Sequence, residues 1–318
     1  MPSPCGKRSG SALRNAKGGR LASSRETRRA RSNTNYWMQR CAVVDLALTK
    51  DYVKRNVAVR FFFKPYMNLR YKRGDRQYRK SADSSWLKSQ HNRYRGKRCF
   101  IIGNGPSLKS SDLDLIADEF SFASNGIYHL FEDTSWRPSH YIAVDRYFIE
   151  SEANMLANIN LPCVLVDLFA EKYLPKKSEH VVFVNLHMDS FSLKKYTTTN
   201  ISFSDRPHLR IAGGYTVTYA AMQLALFMGF TDIILLGIDH NYAREVTSQN
   251  RIVQRGNNED HFFKDDHAKG CLYYEGVEYA YELAKEKARE KGARIVNATR
   301  GGDLDIFERL SLEEVLGL

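Results

Sequence analysis

Gly103-Asn104-Gly105-Pro106-Ser107 follows directly on an apolar run, Cys99-Phe100-Ile101-Ile102. Two glycines in five residues let the backbone turn tightly and approach a ligand with no Cβ in the way. N–H groups exposed in such a turn suit a phosphate, the more so where a helix begins beyond it. Ser107 adds a hydroxyl donor. The turn departs from both standard phosphate fingerprints. Where a dinucleotide-binding turn has its third glycine stands Leu108, and where the ribose-binding acid is expected stands Asn125. No G-x-x-x-x-G-K-[ST] run occurs anywhere. These departures argue against a standard NAD dehydrogenase and a standard P-loop ATPase.

Other apolar runs also end in polar residues. Phe120–Ala123 leads into Ser124-Asn125-Gly126, and Tyr141–Val144 leads into Asp145. Ile233–Leu236 leads into Gly237-Ile238-Asp239-His240-Asn241-Tyr242. Asn125 offers both a donor and an acceptor, which suits a ribose or a base edge. Ala212-Gly213-Gly214-Tyr215-Thr216 opens a long apolar helix, a second place where an anion or a sugar carboxylate would bind. His261 and His267 lie in a polar stretch of about 30 residues, a length typical of lids and binding loops. A histidine there is a candidate general base. Asp239, His240, Asp260, Asp265 and Asp266 supply hard ligands, but their spacing matches no metal motif. Each residue alone reads equally as a cap, a turn or a surface side chain. Their recurrence at successive strand ends is the signal, because such ends converge on one crevice in a parallel sheet.

The elements that would position them are legible from residue 97 onward. Cys99–Ile102, Phe120–Ala123, His140–Val144, Cys163–Asp167, Val181–Asn185, Asp232–Leu236 and Ala293–Val296 read as strands. Tyr215–Met228 reads as a buried helix and Tyr273–Lys291 as an amphipathic one. The alternation predicts an α/β, Rossmann-like, mainly parallel sheet with helices on both faces over residues 97–318.

Ahead of it the composition changes. Residues 1–98 hold 26 Lys and Arg against five acids, whereas the remainder holds 22 against 31. The overall charge of +12 therefore hides a basic N-terminal part and an acidic domain. Residues 1–34 are rich in Arg, Ser and Gly and nearly devoid of large apolar side chains. They read as a disordered basic arm, a transit peptide or residues ahead of the true start. Residues 35–96 interleave bases with aromatics, as in Val59-Arg60-Phe61-Phe62-Phe63-Lys64. They read as a helical appendage or linker, and the arm as a whole as a peripheral contact with an anionic membrane. No nucleic-acid module is visible, so nucleic acid is not the expected partner. No secretion signal or membrane-spanning run appears, and five scattered cysteines form no C-x-x-C pair. A cytoplasmic protein, peripheral at the inner membrane face, is expected.

The runs Phe100–Leu108 (F-I-I-G-N-G-P-S-L), Phe122–Tyr128 (F-A-S-N-G-I-Y), Gly213–Thr216 (G-G-Y-T) and Leu236–Tyr242 (L-G-I-D-H-N-Y) resemble one superfamily. It holds the 6-hydroxymethylpterin diphosphokinase-like proteins and the motility accessory factors, with bacterial CMP-sialic acid sialyltransferases as more distant relatives. The resemblance implies a nucleotide phosphate at the G-N-G-P-S turn, with Asn104, Ser107, Asn125 and Tyr242 in binding and His261 or His267 as base. Two enzyme activities follow from it. One is transfer of a sugar from a CMP-type donor to a glycan or protein hydroxyl, with no cofactor required. The other is pyrophosphoryl transfer from ATP to a small-molecule acceptor, with Mg²⁺ held by Asp145 and Asp239. Sugar transfer is the favoured expectation. A non-catalytic nucleotide-binding protein with a nucleic-acid- or membrane-binding arm is the third.

Overall fold

A strand such as Arg98–Ile102 carries apolar side chains on both faces and can bury them only between two layers. In the computed structural model, which describes residues 73–174, 177–187, 201–247, 251–254, 261–262 and 272–318, these strands form one sheet. Its members are β1 (Arg98–Ile102), β2 (Ser121–Ser124), β3 (His140–Ala143), β4 (Val164–Asp167) and β5 (Val181–Val184). β8 (Asp232–Leu236), β11 (Arg294–Asn297) and β12 (Glu308–Arg309) complete it. The spatial order is β12-β11-β8-β1-β2-β3-β4-β5, and every pairing is parallel. All seven runs expected as strands are present. The two-residue β12 was too short to leave a pattern.

Two small sheets were also not anticipated. β6 (Leu186–His187) pairs in parallel with β7 (Ile211–Ala212). β9 (Arg244–Val246) and β10 (Ile252–Gln254) form an antiparallel hairpin, and Glu245 bridges to Leu272. The stretch read as a continuous polar loop therefore contains a hairpin. Its strands are three residues long, with Val246 buried but Ile252 and Val253 exposed, too short a run for alternation to reveal it.

The helices are α1 (Ala82–Ser89), α2 (Ser110–Leu115), α3 (Arg146–Ser151), α4 (Ala153–Asn158), α5 (Val217–Met228), α6 (Tyr274–Glu290) and α7 (Leu312–Leu316). α5 is buried from Thr218 to Met228, which is why its sequence is apolar all round. α6 buries Val277, Ala280, Tyr281, Ala284 and Ala288 and packs against α5. Gln223 of α5 is fully buried yet satisfied. Its amide bonds both backbone groups of Ala212, the Ser204 N–H and the Tyr219 carbonyl. That side chain fastens the segment leading into β7 to α5.

The arm over residues 1–34, and 35–72 of the segment after it, lie outside the described residues. From residue 73 the segment packs on the sheet. Tyr78 donates its hydroxyl to the Phe183 carbonyl at 3.0 Å, and Leu87 of α1 is fully buried. All described residues belong to one compact unit, Val53–Leu318. Among the described residues no helix is long and apolar enough to cross a membrane. Cys99 and Cys163 are buried free thiols, and burial pushes the Cys163 thiol up to about 12.

Candidate functional site

The chain leaves β1 toward β2 on one side, and β8 returns on the other side of β1. The loops after β1 and β8 therefore part over the sheet's carboxyl edge, the place where open α/β sheets bind ligands. Here the two loops are zipped together. The Gly103 N–H donates to the Leu236 carbonyl at 2.8 Å, and the Gly105 N–H to the Gly237 carbonyl at 2.9 Å. A Cβ on Gly103 would lie 2.2 Å from the Gly237 oxygen, and one on Gly105 1.5 Å from Asp239 Oδ2. The two glycines are required by the neighbouring loop.

This changes the chemistry of the turn. Gly103 and Gly105 spend their N–H groups on the β8 loop, Pro106 has none, and Ser107 donates its hydroxyl to Asp239. Two of the N–H groups expected to cradle a phosphate are thus committed to the β8 loop. Burial raises the Asp239 carboxyl above its ordinary pKa, and the Ser107 bonds oppose that rise.

What the turn does present is amide. Asn104 is buried and reaches across to β2, where its Nδ2 donates to the Ser124 carbonyl at 3.1 Å. The next residue, Asn125, holds a left-handed backbone at φ 47°, and its carbonyl accepts from the Tyr141 hydroxyl at 2.6 Å. The Oδ1 atoms of both asparagines are buried and have no hydrogen-bond donor among the described residues. His261 stands beside this pair, because the next N–H along, that of Phe262, donates to the Asn104 carbonyl at 3.0 Å. His267 lies outside the described residues, as do Asp260, Asp265 and Asp266.

Asp145 is elsewhere. It is exposed and caps α3, accepting from the Phe148 N–H at 2.9 Å. β3 and β8 are three strand spacings apart, about 14 Å, so Asp145 and Asp239 follow strands that are not neighbours. Among the described residues no three His, Cys, Asp or Glu side chains gather as a metal site.

His240 is packed into the fold. It is 2% exposed, with φ 54°, and its ring stacks on Tyr274 at 4.3 Å. Tyr281 and Tyr242 each lie 5.7 Å away between ring centres, and Glu278 Oε1 is 4.0 Å from Nε2. The ring pins the β8 loop to α6 and sends Asn241 and Tyr242, both half-buried, onward from that anchor. The opening of α5 is tied to the same helix. Gly213 donates to the His187 carbonyl at 3.0 Å, Gly214 and Tyr215 hold positive φ, and Thr216 caps α5 through the Thr218 N–H. Tyr215 lies edge-on to Tyr273, which precedes α6, at 5.0 Å between ring centres, and burial pushes the Tyr281 pKa up to about 12.

A third loop, after β11, completes the edge and was missed in the sequence. The Ile238 N–H donates to Thr299 Oγ1 at 3.0 Å, and the Asp303 N–H to the Asp239 carbonyl at 2.8 Å. Arg300 pairs with buried Asp112, and Arg309 holds the carbonyls of Thr299, Gly301 and Leu304. The run Asn297-Ala-Thr-Arg300-Gly-Gly302 at the end of the last long strand was the available clue.

A family model described as 6-hydroxymethylpterin diphosphokinase MptE-like matches residues 76–245. This chain belongs to the MptE-like family. The matched span of this MptE-like chain opens just ahead of α1 and closes within β9, so α6 and the loop after β11 lie beyond it. Two solved structures are similar to it. One is the MAf glycosyltransferase from Magnetospirillum magneticum AMB-1, at 15% identity and a TM-score of 0.42 over 73% of this chain. This chain spans 38% of that protein's length. The other is the sialyltransferase CstII from Campylobacter jejuni in complex with a substrate analogue, cytidine-5'-monophosphate. It shows 16% identity and a TM-score of 0.39 over 68% of this chain and 86% of its own. No curated protein sequence matches the chain.

Proposed function

We propose that this chain is a glycosyltransferase of the sialyltransferase kind, moving a sugar from a CMP-type donor to a glycan or protein hydroxyl. The observation that carries the reading is the Asn104–Asn125 pair, two buried amide oxygens without a donor at adjacent strand ends. Neutral acceptors suit the hydroxyls of a ribose and the amino group of a base. A site built for a triphosphate would instead offer N–H donors, basic side chains or paired carboxylates holding Mg²⁺.

In this reading the acceptor oxygen attacks the anomeric carbon. The new carbon–oxygen bond forms as the bond to the donor phosphate breaks, and the electron pair leaves with the phosphate. His261 takes the acceptor's proton, and the N-terminus of α5 at Gly213–Thr216 faces the charge that develops on the leaving group. The family's own description favours a second reading, pyrophosphoryl transfer to a pterin alcohol. The separation of Asp145 from Asp239 weighs against the ion pairing assumed for it.

Melting temperatures with nucleotides separate the two. CMP and CDP should raise the melting temperature, and ATP with Mg²⁺ should not. Stabilisation by ATP and Mg²⁺ alone would sink sugar transfer in favour of the diphosphokinase. No response to any nucleotide would remove both.

A further inference from the structure

Three backbone N–H groups of the segment before β1 close the carboxyl end of α5. Asn92 donates to the Phe227 carbonyl at 3.1 Å, Tyr94 to Met228 at 2.9 Å and Gly96 to Gly229 at 3.2 Å. A helix end needs such partners for its last carbonyls. Here the partners belong to a strongly basic segment, which is thereby fixed in place. His91 and His208 both lie against Phe227, at 4.9 and 5.4 Å between ring centres. The Ser84 hydroxyl holds the His208 backbone at 2.7 Å. The His208 imidazole is held below its ordinary pKa by burial first, and then by Lys88, Arg206 and His91, which places those three charges around it.

Lys88, Arg93, Arg95 and Arg206 are all exposed. None of the four forms an ion pair among the described residues. Asp205, the nearest acid in sequence, is paired with Lys291 at 2.8 Å. Asp75 and Asp83 are turned to Asn185 and Lys177. The patch surrounds the segment that enters β1, so it lies at the amino edge of the parallel sheet, the pole opposite the crevice.

We propose that this cationic face, built from Lys88, His91, Arg93, Arg95, Arg206 and His208, docks on an anionic lipid bilayer with the crevice turned away from it. Charge complementarity supplies the attraction, since each basic side chain near an anionic leaflet adds to binding. The chain leading into Arg73 adds 17 further bases against three acids over residues 1–72, and it contains Phe61-Phe62-Phe63 between Arg60 and Lys64. A basic surface joined to an apolar, basic-flanked segment combines two signals, as stable bilayer binding requires. Stacking on bases is a poorer fit. Trp86 and Tyr94 near the patch are packed against the core, and the exposed large apolar side chains lie elsewhere. The proposal is independent of the reaction catalysed.

Co-sedimentation of the full chain with vesicles tests it. The wild type should bind phosphatidylcholine vesicles containing phosphatidylserine, should not bind phosphatidylcholine alone, and should be released by salt. Lys88→Glu, Arg93→Glu, Arg95→Glu and Arg206→Glu together should weaken binding at least tenfold, an order-of-magnitude expectation for four charges. A neutralised set, with Arg93, Arg95 and Arg206 each changed to Gln, should show a smaller loss and guards against misfolding of the reversed one. Unchanged melting temperature and nucleotide response in the Gln set would mark the loss as electrostatic. Undiminished vesicle binding in both sets would assign the contact to residues 1–72 alone and overturn the proposal. So would tighter binding to duplex DNA than to the anionic vesicles at equal salt.

Discussion

Ser107 donates its hydroxyl hydrogen to Asp239 at 3.0 Å, across the two loops that part at the sheet's carboxyl edge. One side chain therefore holds the G-N-G-P-S turn against the G-I-D segment, and its charge is spent on the chain itself. Ser107→Ala should lower stability by about 2 kcal/mol, the scale of a hydrogen bond to a charged group. It should also raise the Asp239 pKa further, because the bond it removes opposes the effect of burial. Urea denaturation and carboxyl titration by NMR report the two effects. An Asp239 titration unmoved by the substitution would refute the clamp.

Gly105→Ala places a methyl group where Asp239 Oδ2 now stands. The neighbouring Gly237 oxygen is 2.9 Å from the same point, so both the side chain and the β8 loop must yield. The expected cost is about 3 kcal/mol, at the upper end for overpacking. A denaturation midpoint equal to wild type would show that the loops do not approach this closely.

His140 opens β3 and is 6% exposed, with Phe120 and Phe122 4.9 and 5.5 Å away between ring centres. Burial pushes its pKa down from 6.5 to about 4. The unfolded chain thus takes up a proton before the folded one does. The stability that neutral His140 contributes is fully present above pH 6.5 and is lost as pH falls toward 4, about 3 kcal/mol over that window. His140→Phe should flatten the acid limb of a stability–pH profile. An unchanged limb would locate the acid sensitivity in other groups.

The crevice residues divide by role under the proposed reaction. Asn104→Ala should weaken CMP binding about tenfold, the worth of one or two hydrogen bonds. His261→Ala should leave CMP affinity intact and abolish turnover. Calorimetry and a transfer assay separate the two outcomes. Turnover retained by His261→Ala would leave His267 as the remaining candidate base.

Much of the fold was legible because each long strand is an apolar run of four or five residues closed by Gly, Asn or Asp. The carboxyl-edge candidates were legible for the same reason, since polar residues after such runs must collect on one edge. Side-chain direction was not. His240 and Asp145 look equally polar in sequence, but one is packed among Tyr274, Tyr281 and Tyr242 while the other caps α3 in solvent. Thr299 and Arg309 were overlooked because their role depends on β11 landing beside β8, an adjacency that no local pattern records.

The amino-acid sequence by itself determined a parallel α/β sheet, its seven long strands, and a glycine turn at the end of the first. Periodicity and chain punctuation act between near neighbours, so they survive in one dimension. Only the tertiary structure decided what the turn does. Its glycines admit the β8 loop, the N–H groups of Gly103 and Gly105 meet that loop's carbonyls, and the Ser107 hydroxyl meets the Asp239 carboxylate, while the amide oxygens of Asn104 and Asn125 have no donor among the described residues. The physical reason is that a hydrogen-bonding group serves whichever partner reaches it, and that partner stands more than 130 residues away along the chain.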